Sequence, residues 1–120
     1  MSHLSAPVGA IVRAWFPESE AILSPGPKLR PCLVIAEDLR NGRAMVLVAY
    51  GTSQRTWARG AGELTLDADS YQSLTRNTKF CLRRAVWLPL SSEYFYGQAE
   101  MLKDTDLRAC VRAVREAKVF

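Results

Sequence analysis

"RPCLVIAEDLRNGRAMVLVAYGTSQ", residues 30–54, sets two apolar runs on either side of an Asn41-Gly42 pair. Asn-Gly between hydrophobic runs is a strong hairpin signal, because both residues tolerate the positive φ of a tight two-residue turn. The stretch therefore predicts strands over 30–37 and 44–51, paired antiparallel. The second run is almost continuously apolar, as expected of a strand inside a sheet. Pro31 cannot donate to a ladder, so it belongs at the entrance of its strand. Pairing through the turn sets the start of the first strand against the end of the second, bringing Arg30 close to Thr52 and Ser53. The proline stiffens the approach and holds Arg30 in place. A planar, permanently charged fork beside hydroxyls suits a phosphate.

Upstream, "VGAIVRAWF" (8–16) reads as a strand rich in β-branched and aromatic residues. Residues 17–28 hold three of the six prolines and a glycine, and read as a long loop. Downstream, "TSQRTWARGAG" is a polar connection to a short strand, "ELTL" (63–66). "DADSYQSLTR" (67–76) predicts a short helix capped by Asp67 or Asp69, with Tyr71 and Leu74 as its apolar pair. "TKFCLRRAVWLPL" (78–90) resumes as strand, with a break at Arg83-Arg84. From Asp104 the pattern is helical: Leu107, Cys110, Val111 and Val114 form one face, with Arg108, Arg112, Arg115 and Glu116 opposite. Strands first and a helix last predict a mainly β fold with α: a strongly bent or barrel-like antiparallel sheet, a short middle helix and an aspartate-capped amphipathic C-terminal helix.

A length of 120 residues suits one domain spanning the chain. The hydrophobic fraction of 48% and charged fraction of 23% are those of an ordinary globular protein, and no apolar run approaches the roughly 18 residues of a membrane span. The N-terminal residues lack the pattern of a signal peptide, so a cytoplasmic location is expected. Cys32, Cys81 and Cys110 are odd in number, widely spaced and set in apolar stretches, which predicts reduced core thiols. A single histidine, His3, leaves no cluster of ligands for zinc, and no metal or other cofactor is expected.

The net charge is +4. Arg40, Arg43, Arg55 and Arg59 fall in a stretch without acids between Leu39 and Gly62; Arg76, Lys79, Arg83 and Arg84 fall in another between Ser70 and Ser92. The two segments either form one basic face or are solvated separately. Trp57 lies between Arg55 and Arg59, a combination that stacks a base while neutralising phosphates. The alternative is that Trp57 packs back onto the core.

Gly9-x-Ile-Val, then "LRPCLVI", then "VLVAYGTSQ" resemble the PemK/MazF toxin family, over most of the chain from about Gly9 to the terminal helix. The resemblance implies an SH3-like barrel with helices and a homodimer whose groove receives single-stranded RNA. It also implies a cognate antitoxin that blocks the groove, and a metal-independent, sequence-selective endoribonuclease in which the RNA 2'-hydroxyl attacks the adjacent phosphate. The family arginine falls on Arg30, as acid or phosphate stabiliser, and the family threonine on Thr52, as hydrogen-bond donor to the phosphate, with Ser53 beside it. Lys28, Arg55, Trp57, Arg59, Lys79 and Arg83 are the expected RNA-binding side chains. Some members carry a glutamate five residues before the arginine, where this chain has Pro25, and others an Arg-x-Asp segment, where this chain reads "KFCLRR". Glu18 and Glu20 are then the candidate general bases. A rival expectation is a nucleic-acid-binding or protein-interaction module of weak or no activity on the same fold.

Overall fold

The computed structural model describes residues 4–19 and 24–118; His3 and Glu20 lie outside them. Seven strands and one helix follow in the order β1 (Ala10–Trp15), β2 (Leu29–Arg40), β3 (Arg43–Thr52), β4 (Glu63–Leu66), β5 (Thr78–Cys81), β6 (Val86–Pro89), β7 (Phe95–Met101) and α1 (Asp104–Ala117). The expected hairpin is present and longer than its apolar runs. Asn41 and Gly42 take φ of 52° and 75°, and pairing continues outward to Arg40↔Arg43.

The sheet is antiparallel, in the order β4-β5-β3-β2-β1-β7, with β6 also on β3. β3 is the hub. Its outer edge pairs β6 over Met45–Val48 and β5 at Gly51 and Thr52, so its partner changes at the 3-10 turn Leu82–Arg84. That turn is the break expected at Arg83-Arg84. Register shifts in β1 and β2 bend the sheet, but no ladder joins β4 to β7 among the described residues, so the sheet is not closed.

Alternation sends neighbouring side chains to opposite faces, and both faces are buried. Ile11, Leu33, Ala49, Leu66 and Phe80 pack in one cluster, with Cys110 and Ala113 of α1. Val12, Cys32, Val34, Val48 and Leu88 pack in the other. Burial on both sides explains why β2 and β3 read as continuous apolar runs.

Three local expectations are corrected. Residues 67–76 do not form the middle helix: they hold one 3-10 turn, Ala68–Ser70, and Asp67 makes no side-chain cap bond. Two amides a helix would need are used elsewhere, the Gln72 and Ser73 N–H groups donating to Glu100. The terminal helix is not capped by Asp104. Lys103 stands at that position without a side-chain bond, while Asp104 and Asp106 occupy the first turn, where negative charge complements the helix dipole. Finally, α1 buries Cys110 and Ala113, whereas Leu107 and Val111 are exposed, so its buried stripe is rotated from the expected face. β7, with one glycine and the polar Gln98 and Glu100, has no counterpart in the sequence reading. The three cysteines are free: Cys32 and Cys110 are buried and Cys81 half-buried.

Tyr71 joins the irregular segment to α1. It is 3% exposed; its hydroxyl donates to Asp106 Oδ2 at 2.5 Å and accepts the Lys103 N–H at 3.0 Å. Burial, then the bond to Asp106, pushes the phenol up to about 12. Because the folded value lies above the unfolded one, this stabilisation is complete below about pH 10 and is lost as pH rises toward 12, by roughly 2–3 kcal/mol. Urea midpoints of wild type and Tyr71→Phe should therefore converge between pH 9.5 and 12, as estimated from these values. Parallel curves would remove Tyr71 as the titrating group.

Candidate functional site

Extending the Cys32↔Tyr50 register by two residues sets Arg30 across from Thr52. Both line a cavity of about 510 Å³ at this end of the sheet. Arg30 is half-buried, and its guanidinium carbon lies 5.4 Å from the centre of the Tyr50 ring, so an aromatic face braces it. Thr52 Oγ1 accepts the Gln54 N–H at 3.1 Å, a turn in which the hydroxyl hydrogen remains free to donate. Lys28, Ser53 and Gln54 line the same cavity. So do Arg13 of β1 and Arg76, which the sequence reading did not assign to a site. Among the described residues the lining thus carries four cations, Arg13, Lys28, Arg30 and Arg76, and no carboxylate. Unscreened cations gathered in one concavity favour an anion strongly.

Arg13 had one signal: it is the single charged residue in the otherwise apolar run of β1. Its place opposite Pro31, at the cavity of Arg30, depends on β1 pairing β2, which local sequence does not encode.

Thr52 also borders a second cavity, of about 370 Å³, with Tyr50, Arg55, Glu63, Lys79, Arg83 and Arg84. Lys79 is tied down here. Its Nζ donates to Ala58 O at 2.9 Å and lies 3.5 Å from Glu63 Oε1, with the side chain 12% exposed. Glu63 accepts the Gly60 N–H at 2.6 Å, and that bond, with Lys79 and Arg83 beside it, holds its carboxyl below the usual range. Lys79 and Glu63 together anchor the connection that carries Arg55, Trp57 and Arg59. On that connection Trp57 is 81% exposed, so it does not pack onto the core, and the Arg55 guanidinium lies 6.0 Å from its ring. Arg59 is exposed on the same loop and Arg83 is exposed at the break between β5 and β6.

Glu18 lines a third cavity, of about 570 Å³, with Phe16, Tyr50 and Arg84, and does not line the cavity of Arg30. The two basic sequence segments converge only in part. Arg40 and Arg43 lie at the hairpin tip, the end of β2 and β3 away from Thr52; Arg40 is bonded to Asp38 at 3.0 Å and stacked 4.2 Å over Trp87. Among the described residues, no group of three or more His, Cys, Asp or Glu comes together as a metal site.

By fold and chemistry this is a mainly β protein with a cationic, hydroxyl-lined groove suited to a phosphate-bearing ligand. Residues 8–117 match the model of the family described as PemK-like, MazF-like toxin of type II toxin-antitoxin system, and the chain belongs to that family. Its toxins are generally endoribonucleases, and membership implies an antitoxin partner. No curated protein matches the chain. No helix among the described residues is long and apolar enough to cross a membrane.

Proposed function

We propose that this chain is a metal-independent, sequence-selective endoribonuclease that cleaves single-stranded RNA, acts in the cytoplasm as a homodimer and is blocked by its antitoxin at the groove. The reading takes the 120 residues as one domain and the bent sheet as an SH3-like barrel. The observation that carries it is Arg30, braced on Tyr50, sharing with the Thr52 hydroxyl a cavity lined by four cations among the described residues.

In this reading the RNA 2'-oxygen attacks the adjacent phosphorus and the bond to the 5'-oxygen breaks, leaving a cyclic phosphate and a free 5'-hydroxyl. Arg30 stabilises the phosphate or protonates the leaving oxygen; Thr52 donates a hydrogen bond to a phosphate oxygen, with Ser53 next to it. Removal of the 2'-proton falls to Glu18 or Glu20 of the 17–28 loop. Lys28, Arg55, Arg59 and Arg83 follow the backbone and Trp57 stacks a base, while Lys79 acts by holding their loop.

One observation favours a second reading, a binding module without efficient cleavage. Among the described residues no carboxylate lines the Arg30 cavity, and general acid-base help is worth about a hundredfold or more. Incubation of the protein with a long mixed-sequence RNA in EDTA separates the two. Discrete cuts with 5'-hydroxyl ends are expected; intact RNA that is nevertheless bound would replace the enzyme reading with the module. Intact and unbound RNA would leave the groove to a protein partner.

A further inference from the structure

One wall of the groove is the irregular segment after Tyr71, which brings Ser73, Thr75, Arg76 and Thr78 to the cavity of Arg30. A single side chain of β7 holds this segment from outside. Glu100 accepts the Gln72 N–H at 3.1 Å, the Ser73 N–H at 2.8 Å and the Ser73 hydroxyl at 2.6 Å. It also borders an adjoining cavity of about 400 Å³ that shares Arg13 and Ser73 with the first. Partial burial opposes its ionisation, yet the Ser73 hydroxyl and the two amides, with Lys103 nearby, keep the carboxyl below the usual range.

We infer that Glu100 is a positioning residue for the groove: by clamping Gln72 and Ser73 it fixes the wall that presents Arg76 toward a strand bound at Arg30. This rests on the proposed RNA reading. The clamp depends on charge and on acceptor number. An ionised carboxylate accepts at both oxygens, and hydrogen bonds to it are about twice as strong as neutral ones. A glutamine amide offers one oxygen, and its NH₂ group would face donors, so at least one of the three bonds is lost. The 3-10 turn before the segment is too short to hold its geometry alone.

The test measures binding of a 2'-O-methyl mixed-sequence oligoribonucleotide, which cannot undergo 2'-hydroxyl attack, across a salt series. Glu100→Gln and Arg76→Ala should each weaken binding about tenfold and make the log K against log salt slope shallower by about 0.7, the share of one single-strand phosphate. The double variant should bind no more than about threefold worse than either single, because both act through one contact. Amide exchange at Gln72 and Ser73 should quicken in Glu100→Gln alone. In the cleavage assay, Glu100→Gln should raise KM about tenfold with a smaller change in kcat, whereas a general loss of folded protein would lower the apparent kcat instead. If Glu100→Gln does not fold, Ser73→Ala, which removes only the hydroxyl bond, should show the same lack of additivity with Arg76→Ala.

Wild-type affinity in Glu100→Gln, or losses that multiply in the double variant, would overturn the inference and leave the RNA reading standing. A wild-type protein that does not bind the oligonucleotide would overturn both, even with the clamp visible in amide exchange.

Discussion

Arg30→Ala is expected to reduce RNA cleavage by about a hundredfold to a thousandfold, the usual cost of removing one group that stabilises developing charge on the reacting centre. Thermal unfolding should change little by comparison, because Arg30 is half-buried at the strand end and its chief contact is the stack on Tyr50. Arg30→Lys should recover only part of the rate. An ammonium keeps the charge but not the planar fork, which both stacks on the ring and offers two parallel donors. The measurement is the single-turnover rate on one RNA containing a mapped site, with the unfolding midpoint recorded for each variant. Equal rates for wild type and Arg30→Ala would remove Arg30 from the chemistry, whatever the activity of the protein.

Gly51→Ala should be a severely damaging single methyl. A Cβ at Gly51 would lie 2.2 Å from Thr78 Cγ2 and 2.8 Å from Phe80 Cε1, and both neighbours are buried. β3 crosses β5 at this point, with Gly51 paired to Phe80 and Thr52 to Lys79, so neither strand can yield without moving Thr52. Overpacking of this kind costs about 3 kcal/mol, which for a chain of this size lowers Tm by about 10 °C. Gly60→Ala supplies the control, since its Cβ would meet nothing closer than 3.4 Å. A Gly51→Ala midpoint equal to that of Gly60→Ala would show that the close approach is not real. The expected loss also accounts for the glycine in "YGTS": without a side chain there, β3 approaches β5 closely enough to place Thr52 on the wall between two basic cavities.

Much of this was legible in sequence because it is local. The Asn41-Gly42 turn pairs β2 with β3 and brings Arg30 to the Thr52-Ser53 end of β3. Its register alone would set Arg30 against Ser53; the shift between Val34 and Ala36 sets it across from Thr52. The Arg83-Arg84 break appeared where two cations interrupt an apolar run, and the family was recognisable from the same strands. The middle helix was misread because Tyr71 and Leu74 do face the core, but from an irregular segment whose amides are claimed by Glu100, a residue 27 positions beyond Ser73. β7 was not read at all. Its glycine and mostly uncovered side chains give no period, and it is a strand only because β1 pairs with it.

Sequence by itself determined the elements whose cause lies within a few residues: the hairpin, its apolar strands, the terminal helix and the approach of Arg30 to Thr52 and Ser53 that follows from one turn. Tertiary structure alone decided which cations share the groove, drawing in Arg13 and Arg76 while leaving Arg40 and Arg43 at the far hairpin tip. It also decided that Trp57 is exposed, that Lys79 is an anchor, and that α1 buries Cys110 and Ala113. The physical reason is that a turn or an amphipathic period is a property of neighbouring residues, whereas a cavity wall is a property of strand pairing. Ser73, Arg13 and Arg30 line one cavity, with Glu100 bonded behind Ser73, only once β1 lies between β2 and β7.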